Sequence, residues 1–349
     1  MQLNMMNFQT YKMIRIIKES LLLLRLKLNR FKSYNKYTGP LIDAMGQINL
    51  KIDSEHLSKV LGSSGVSHLA LFGRANGIDN NSDEHVFNIS QTLKDTIIFG
   101  AVKGFDHQND ITPSFIKAIS KDIKRGARFV GEIQCTHGDK YNPQSDYSVT
   151  NEVNLAGERY INPLSPNFLK LMDKLKGKNI PVMLHWEMYN WERDWPNFNE
   201  LFTRYPDIDF IIPHAGYNSA VHAHEILRLH QSHVYFTLSK REMFYFKYKW
   251  RSFKGYDLGR YTFASYEKLN KLSSSMLDPS GKIQRLWHDV LLKYSNNFMF
   301  ATDCHKEHAW SVYPKIIDHW RDILGQLPIE VAEKIAFKNA KKLYKISEA

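Results

Sequence analysis

From Pro40 onward the chain alternates short apolar runs with longer stretches of helical periodicity. Eight runs read as strands, over 41–47, 67–72, 96–102, 128–133, 180–185, 209–213, 234–238 and 297–302. Most are apolar at nearly every position, as in Ile-Ile-Phe at 97–99 and Phe-Ile-Ile at 210–212. A strand with one wet face alternates apolar with polar, so unbroken runs indicate burial on both faces, as in a parallel sheet. Between them, Thr112-Pro113 opens a predicted helix over 114–125 and Ser165-Pro166 opens one over 167–176. Each sets a capping hydroxyl before a proline, whose missing N–H costs nothing in a first turn. Strands alternating with helices over about 300 residues predict an α/β chain, a (β/α)8 TIM barrel. No internal repeat or low-complexity linker divides 40–349, which is expected to be one domain with long connections at 134–163 and 239–296.

Residues 1–39 carry another pattern. Ile14, Ile17, Leu21, Leu24, Leu28 and Phe31 recur at alternating spacings of three and four, which makes one apolar stripe on a helix. The opposite face is basic. The whole chain has 47 Lys and Arg against 36 Asp and Glu, a net charge of +11. Lys12, Arg15, Lys18, Arg25, Lys27, Arg30, Lys32 and Lys36 face Glu19 alone, so seven of those charges fall before residue 41. The barrel itself is only mildly basic, and nucleic acid is not an expected partner. The extension is expected to dock on the barrel or a second copy, as in a homo-oligomer, or to lie through 10–32 on an anionic membrane surface. It does not read as a cleaved signal peptide, because its uninterrupted apolar core spans only 21–24 and no small-residue cleavage site follows. No run approaches the roughly 18–20 apolar residues of a membrane span. Two cysteines, Cys135 and Cys304, exclude a disulfide scaffold and make a reducing, cytoplasmic setting the expectation.

Candidate chemistry lies where the apolar runs stop. Glu132 ends the fourth predicted strand, His185 the fifth, His214 the sixth, and Asp303 follows the eighth. Barrel active sites are built at the C-terminal ends of strands. A single strand-end histidine is more often a hydrogen-bonded structural residue, and a lone aspartate commonly caps a helix. Four such residues, each at the same end of its strand, are hard to assign to caps. Two imidazoles and two carboxylates suit a divalent ion, zinc first, with manganese or iron as alternatives.

These residues carry a resemblance. Leu-Ile-Asp-Ala at 41–44, Gly-Glu at 131–132, Leu-His-Trp at 184–186, Ile-Pro-His-Ala-Gly at 212–216, Ala-Thr-Asp at 301–303 and the closing 327–340 resemble the amidohydrolase superfamily, in its amidohydrolase-related branch. The resemblance spans roughly 40–345 in the right order. It implies a metal-dependent enzyme with Glu132, His185 and His214 as ligands. Asp303 is implied as a ligand, as general base toward an activated water, or as both, and His214 joins Asp303 as a catalytic candidate.

The first strand departs from the family. Its members carry His-x-His after Asp-Ala, where this chain reads Met45-Gly46-Gln47. Thioether sulfur is a soft ligand and an amide oxygen a poor substitute for imidazole, so the subsite built from those histidines is expected to be degenerate at Met45 and Gln47. His222 and His224 do not replace them, because i and i+2 on a helix point about 200° apart. His137, His305 and His308 are expected at the mouth of the barrel, as a ligand or substrate contact or as plain rim histidines. Three functions remain open on these grounds. The first is a one-metal hydrolase of a small-molecule amide, lactone or ester. The second is a non-oxidative decarboxylase or hydratase of a small carboxylic acid. The third is a metal-free binding protein. Phe244-Tyr-Phe-Lys-Tyr-Lys-Trp-Arg251, in the second long connection, reads as a substrate lid, and Lys247, Lys249, Arg251 and Lys254 suit an acidic substrate.

Overall fold

The computed structural model describes residues 35–73, 82–101, 110–137, 159–188, 191–217, 220–241, 276–278, 281–305 and 307–347. The amphipathic stretch over 10–32 and the aromatic-basic stretch over 244–251 lie outside them, so the expectations for both stay with the sequence.

Eight parallel strands alternate with helices in barrel order: β1 (Leu41–Ile48), β2 (Val66–Gly73), β3 (Ile97–Ala101), β4 (Phe129–His137), β5 (Val182–Trp186), β6 (Phe210–Ile212), β7 (Val234–Thr237) and β8 (Phe298–Met299). The ring closes between β8 and β1. Ala44 N donates to Phe300 O at 3.1 Å, Asp303 N to Met45 O at 2.8 Å and Gln47 N to Cys304 O at 2.8 Å. This is the predicted (β/α)8 barrel, with all eight strands where the apolar runs lie.

The runs are unbroken because each strand is buried twice. Ile42, Phe72, Ile98, Phe129, Met183, Ile211, Tyr235 and Met299 fill the barrel interior. Leu343 and Tyr344 plug its lower mouth, where the Tyr344 hydroxyl donates to Ala44 O at 2.9 Å. Alternate residues such as Leu41, Leu71, Val130, Val182 and Phe210 face the surrounding helices. Those helices include α1 (Ser54–Ser64), α2 (Ser82–Thr92), α3 (Pro113–Lys124), α4 (Pro166–Leu175), α5 (Trp191–Arg204), α6 (Ala220–His230), α7 (Arg285–Lys293) and α8 (Tyr313–Leu324). Among the described residues no helix is long and apolar enough to cross a membrane, and Cys135 and Cys304 are both unpaired and buried.

Three local expectations are corrected. The fourth strand does not end at residue 133: Gln134-Cys135-Thr136-His137 continues it, pairing with β5 on one side and with a two-residue antiparallel strand, Arg159–Tyr160, on the other. Cys135 points into the buried outer layer, so the period-two pattern persists after polar residues appear. The connection over 239–296 includes α7. Thr112 caps α3 as expected, accepting from Phe115 N at 3.2 Å, but Ser165 makes no side-chain cap to α4. Asp110 caps that helix from another segment, accepting from Asn167 N at 3.0 Å and Phe168 N at 3.2 Å, while the Ser165 hydroxyl donates to it at 2.6 Å.

Candidate metal centre

Glu132 reaches the barrel interior because β4 is irregular. Val130 pairs with Val182 and Ile133 with Leu184, so three steps on β4 match two on β5. Gly131 and Glu132 share one inward position in this bulge, a device that re-aims side chains beside active sites. Gly131 is required there: a Cβ would stand 2.4 Å from Ala101 O. His185 needs no such device, since it follows the inward Met183 by two residues. His214 leaves the end of β6 in a run of left-handed residues, with φ of 58° at His214, 46° at Ala215 and 66° at Gly216. Side chains rarely adopt that region, and such strain concentrates at functional sites. Gly216 also lies against Met188, 2.5 Å from where a Cβ would be. Of the six non-glycine residues with positive φ among the described residues, His214, Ala215, Lys240 and Asp303 border this one site.

The three side chains converge. His185 Nδ1 lies 2.5 Å and His214 Nε2 3.7 Å from Glu132 Oε1, and the two imidazole rings meet edge to face with centroids 5.2 Å apart. One ligand atom from each falls within 4.8 Å of the others, the only such group of three or more among the described residues. All three residues are buried. Burial disfavours charge on His185, yet Glu132 and Glu187 together outweigh it and raise its pKa. His214 goes the other way, burial holding its pKa down against the pull of Glu132 and Asp303. It is thus kept as neutral imidazole, the form that can ligate.

The outer nitrogen of each ring is held. His185 Nε2 is 3.1 Å from Glu187 Oε1. His214 Nδ1 is 3.0 Å from Ser239 Oγ, which is itself 2.9 Å from Thr237 Oγ1. An N–H held on the outside fixes the tautomer that turns the other nitrogen inward, as partners of metal-ligating histidines do. Glu187 and Ser239 were not among the expected residues. His185-Trp-Glu187 carries the signal at the strand's period of two, but the glutamate lay beyond the apolar run.

Asp303 stands beside this trio rather than in it. Its backbone is left-handed, with φ of 49°. Gln47 Nε2 donates to its Oδ1 at 2.6 Å, while Lys240 Nζ and His305 Nδ1 lie 3.8 and 3.6 Å from Oδ2. Burial opposes its charge, but Lys240, His305 and His214 override that and hold its pKa well below the carboxylate range. Gln47 and Met45 of the first strand therefore have contacts of their own. Gln47 positions Asp303 through its amide nitrogen, and Met45 Sδ packs 3.8 Å from Ser239 Oγ. Asp43 is fully buried as a latch across the barrel seam. It accepts from Thr302 N at 2.9 Å, Thr302 Oγ1 at 2.6 Å and Tyr313 OH at 2.9 Å.

Of the remaining histidines, His305 stays beside Asp303 and the others lie on separate elements. His305 Nδ1 lies 2.9 Å from Asp303 O, His308 is on the short helical turn Glu307–Ser311, and His137 is the last residue of β4. His222 stacks on Trp191 at 4.1 Å and His224 lies 3.1 Å from Tyr294 OH, so this pair diverges as expected.

The fold and this cluster define a (β/α)8 barrel with a potential metal site at the C-terminal ends of adjacent strands. No family model and no curated protein matches the sequence. Solved structures do. A probable 2-pyrone-4,6-dicarboxylic acid hydrolase from Acinetobacter baumannii, with citric acid bound, is 13% identical and matches over 87% of this chain and 99% of its own, with a TM-score of 0.52. A second such protein, from Pseudomonas putida, is 14% identical over 88% and 98%, with a TM-score of 0.54. Dihydroorotase from Saccharomyces cerevisiae, in complex with 5-fluoroorotic acid, is 13% identical over 89% and 85%, with a TM-score of 0.51. The likeness to these solved structures is one of three-dimensional fold.

Proposed function

We propose that the chain is a metal-dependent hydrolase of the amidohydrolase type, opening an amide, lactone or ester of a small, acidic molecule at a single divalent ion. The observation that carries this reading is the convergence of Glu132, His185 and His214 with both outer imidazole nitrogens already held. The donor set fits a cation. Glu132 and Glu187 bring two buried carboxylates to one histidine, and the close Glu132–His185 contact marks a point where positive charge is favoured. His185 Nδ1, His214 Nε2 and a Glu132 oxygen would hold the ion, with zinc the first choice for this nitrogen and oxygen set. When bound, a divalent ion supplies Lewis acidity and brings the pKa of a water towards neutrality.

Asp303 then handles the proton. Gln47 fixes its Oδ1, which leaves Oδ2 to accept a proton from the attacking water and return it to the departing nitrogen or oxygen. Its depressed pKa keeps it ionised. No observation favours the decarboxylase, hydratase or metal-free readings over this one. The test is the metal content of purified protein after supplementation with zinc and manganese. About one ion per chain is expected, lost in His185→Ala. A wild-type protein that retains no stoichiometric metal would end the proposal.

A further inference from the structure

Lys240 follows Ser239, the residue that holds His214, and its backbone is in the left-handed region with φ of 61°. Its side chain is only 14% exposed. Among the described residues its one ionic contact is Asp303 Oδ2 at 3.8 Å, beyond hydrogen-bonding distance. Gln47 occupies Asp303 Oδ1, and Oδ2 stands off from both Lys240 and His305. An ammonium has three donors, and burying one without hydrogen-bond acceptors is costly. The chain therefore holds a nearly buried cation, on strained backbone, at the mouth of the candidate centre, with no acceptor in reach among the described residues.

We infer that Lys240 is the anion-binding residue of this site and that the substrate is a small carboxylic acid whose carboxylate it holds beside Asp303. This inference deepens the hydrolase reading and rests on it for the word substrate. A carboxylate oxygen within 3 Å of the ammonium would supply the missing acceptor. It would also place one ammonium between two carboxylates, the ligand's and Asp303's, so that neither repels the other unscreened. A monoanion suits this arrangement better than a phosphate dianion, because Glu132, Glu187 and Asp303 already bring negative charge to the same end of the barrel. Anchor and metal ligand are tied together in sequence: Lys240 and the serine on His214 Nδ1 are adjacent residues. A carboxylate gripped by Lys240 is thereby set in a fixed relation to the trio.

The test is calorimetric titration of the zinc-supplemented protein with acetate, succinate, glutarate, benzoate and isophthalate, each paired with its amide. Wild type, Lys240→Met and Lys240→Arg are compared, with bound zinc measured in each. At least one carboxylate is expected to bind ten-fold or more tightly than its amide, as one charge-assisted hydrogen bond provides about 10- to 100-fold. The preference disappears in Lys240→Met and largely survives in Lys240→Arg, with zinc content unchanged. Carboxylates that bind wild type no better than their amides, or a preference that persists in Lys240→Met, overturn the assignment. So does loss of zinc in Lys240→Met, which would make Lys240 a support for the metal trio. A wild type without zinc defeats the hydrolase reading instead, and the comparison of carboxylates with amides is still read on that protein.

Discussion

Replacing Glu187 by leucine isolates the group that orients His185. In the structure His185 sits between two carboxylates, with Nδ1 2.5 Å from Glu132 and Nε2 3.1 Å from Glu187. Both carboxylates raise its pKa, so the ion-free site holds a proton on each ring nitrogen, and an incoming ion displaces only the Nδ1 proton while Glu187 keeps Nε2–H and the set of the ring. Without Glu187 a neutral ring is free to keep its one proton on Nδ1 against Glu132, and an incoming ion must first move it to Nε2. Loss of such an outer partner typically weakens metal binding by about 10- to 100-fold, equivalent to roughly 1.4–2.7 kcal/mol. Leucine approximates the buried volume and leaves no new charge, which limits the damage to folding. Glu187→Gln keeps an acceptor oxygen and is expected to recover most of the loss. The measurement is competition for zinc against a chromophoric chelator, with thermal unfolding of the metal-free proteins alongside. If Glu187→Leu folds and binds zinc within two-fold of wild type, the tautomer argument is wrong.

Two further expectations concern the scaffold. Asp43 is fully buried and burial pushes its pKa up to about 6, against hydrogen bonds from Thr302, Tyr313 and Met45 that act to lower it. A carboxyl whose folded pKa lies above its unfolded value favours folding most at low pH and loses that contribution as pH rises from about 4 to 6. Its share of about 3 kcal/mol should be missing from the pH dependence of Asp43→Asn, and denaturant unfolding between pH 4 and 7 that shows equal slopes for both proteins would refute this. Gly131→Ala places a methyl group 2.4 Å from Ala101 O, and the resulting overpacking is expected to cost about 1–3 kcal/mol. An alanine variant as stable as wild type in urea would show that the β4 bulge relaxes freely.

The strands were legible because each is buried on two faces, and an apolar run as short as Phe210–Ile212 suits little but a buried strand. The trio was legible because those runs end on Glu132, His185 and His214. Other parts depend on neighbours that are remote in sequence. Gln47 looked like a failed metal ligand, yet its amide nitrogen meets Asp303 across 256 positions. Ser239 and Lys240 lay at the start of a long connection, where nothing distinguishes them from loop residues. Asp110, not Ser165, caps α4 because it approaches from a different segment. Glu187 is the exception, since strand periodicity alone places it on the same face as His185.

The seam between β8 and β1 divides the site by the order in which its parts can come together. Glu132, His185 and His214 ride on β4, β5 and β6, which are consecutive neighbours and need only local pairing. Asp303 meets Gln47 only when the two ends of the barrel join, through Asp303 N on Met45 O and Thr302 on Asp43. An open barrel would therefore keep the surface that can capture an ion while lacking the carboxylate that takes the proton. On the proposed mechanism, the three ion ligands would come together with half the ring and turnover would need all of it, so the pairing that completes the fold would also complete the chemistry.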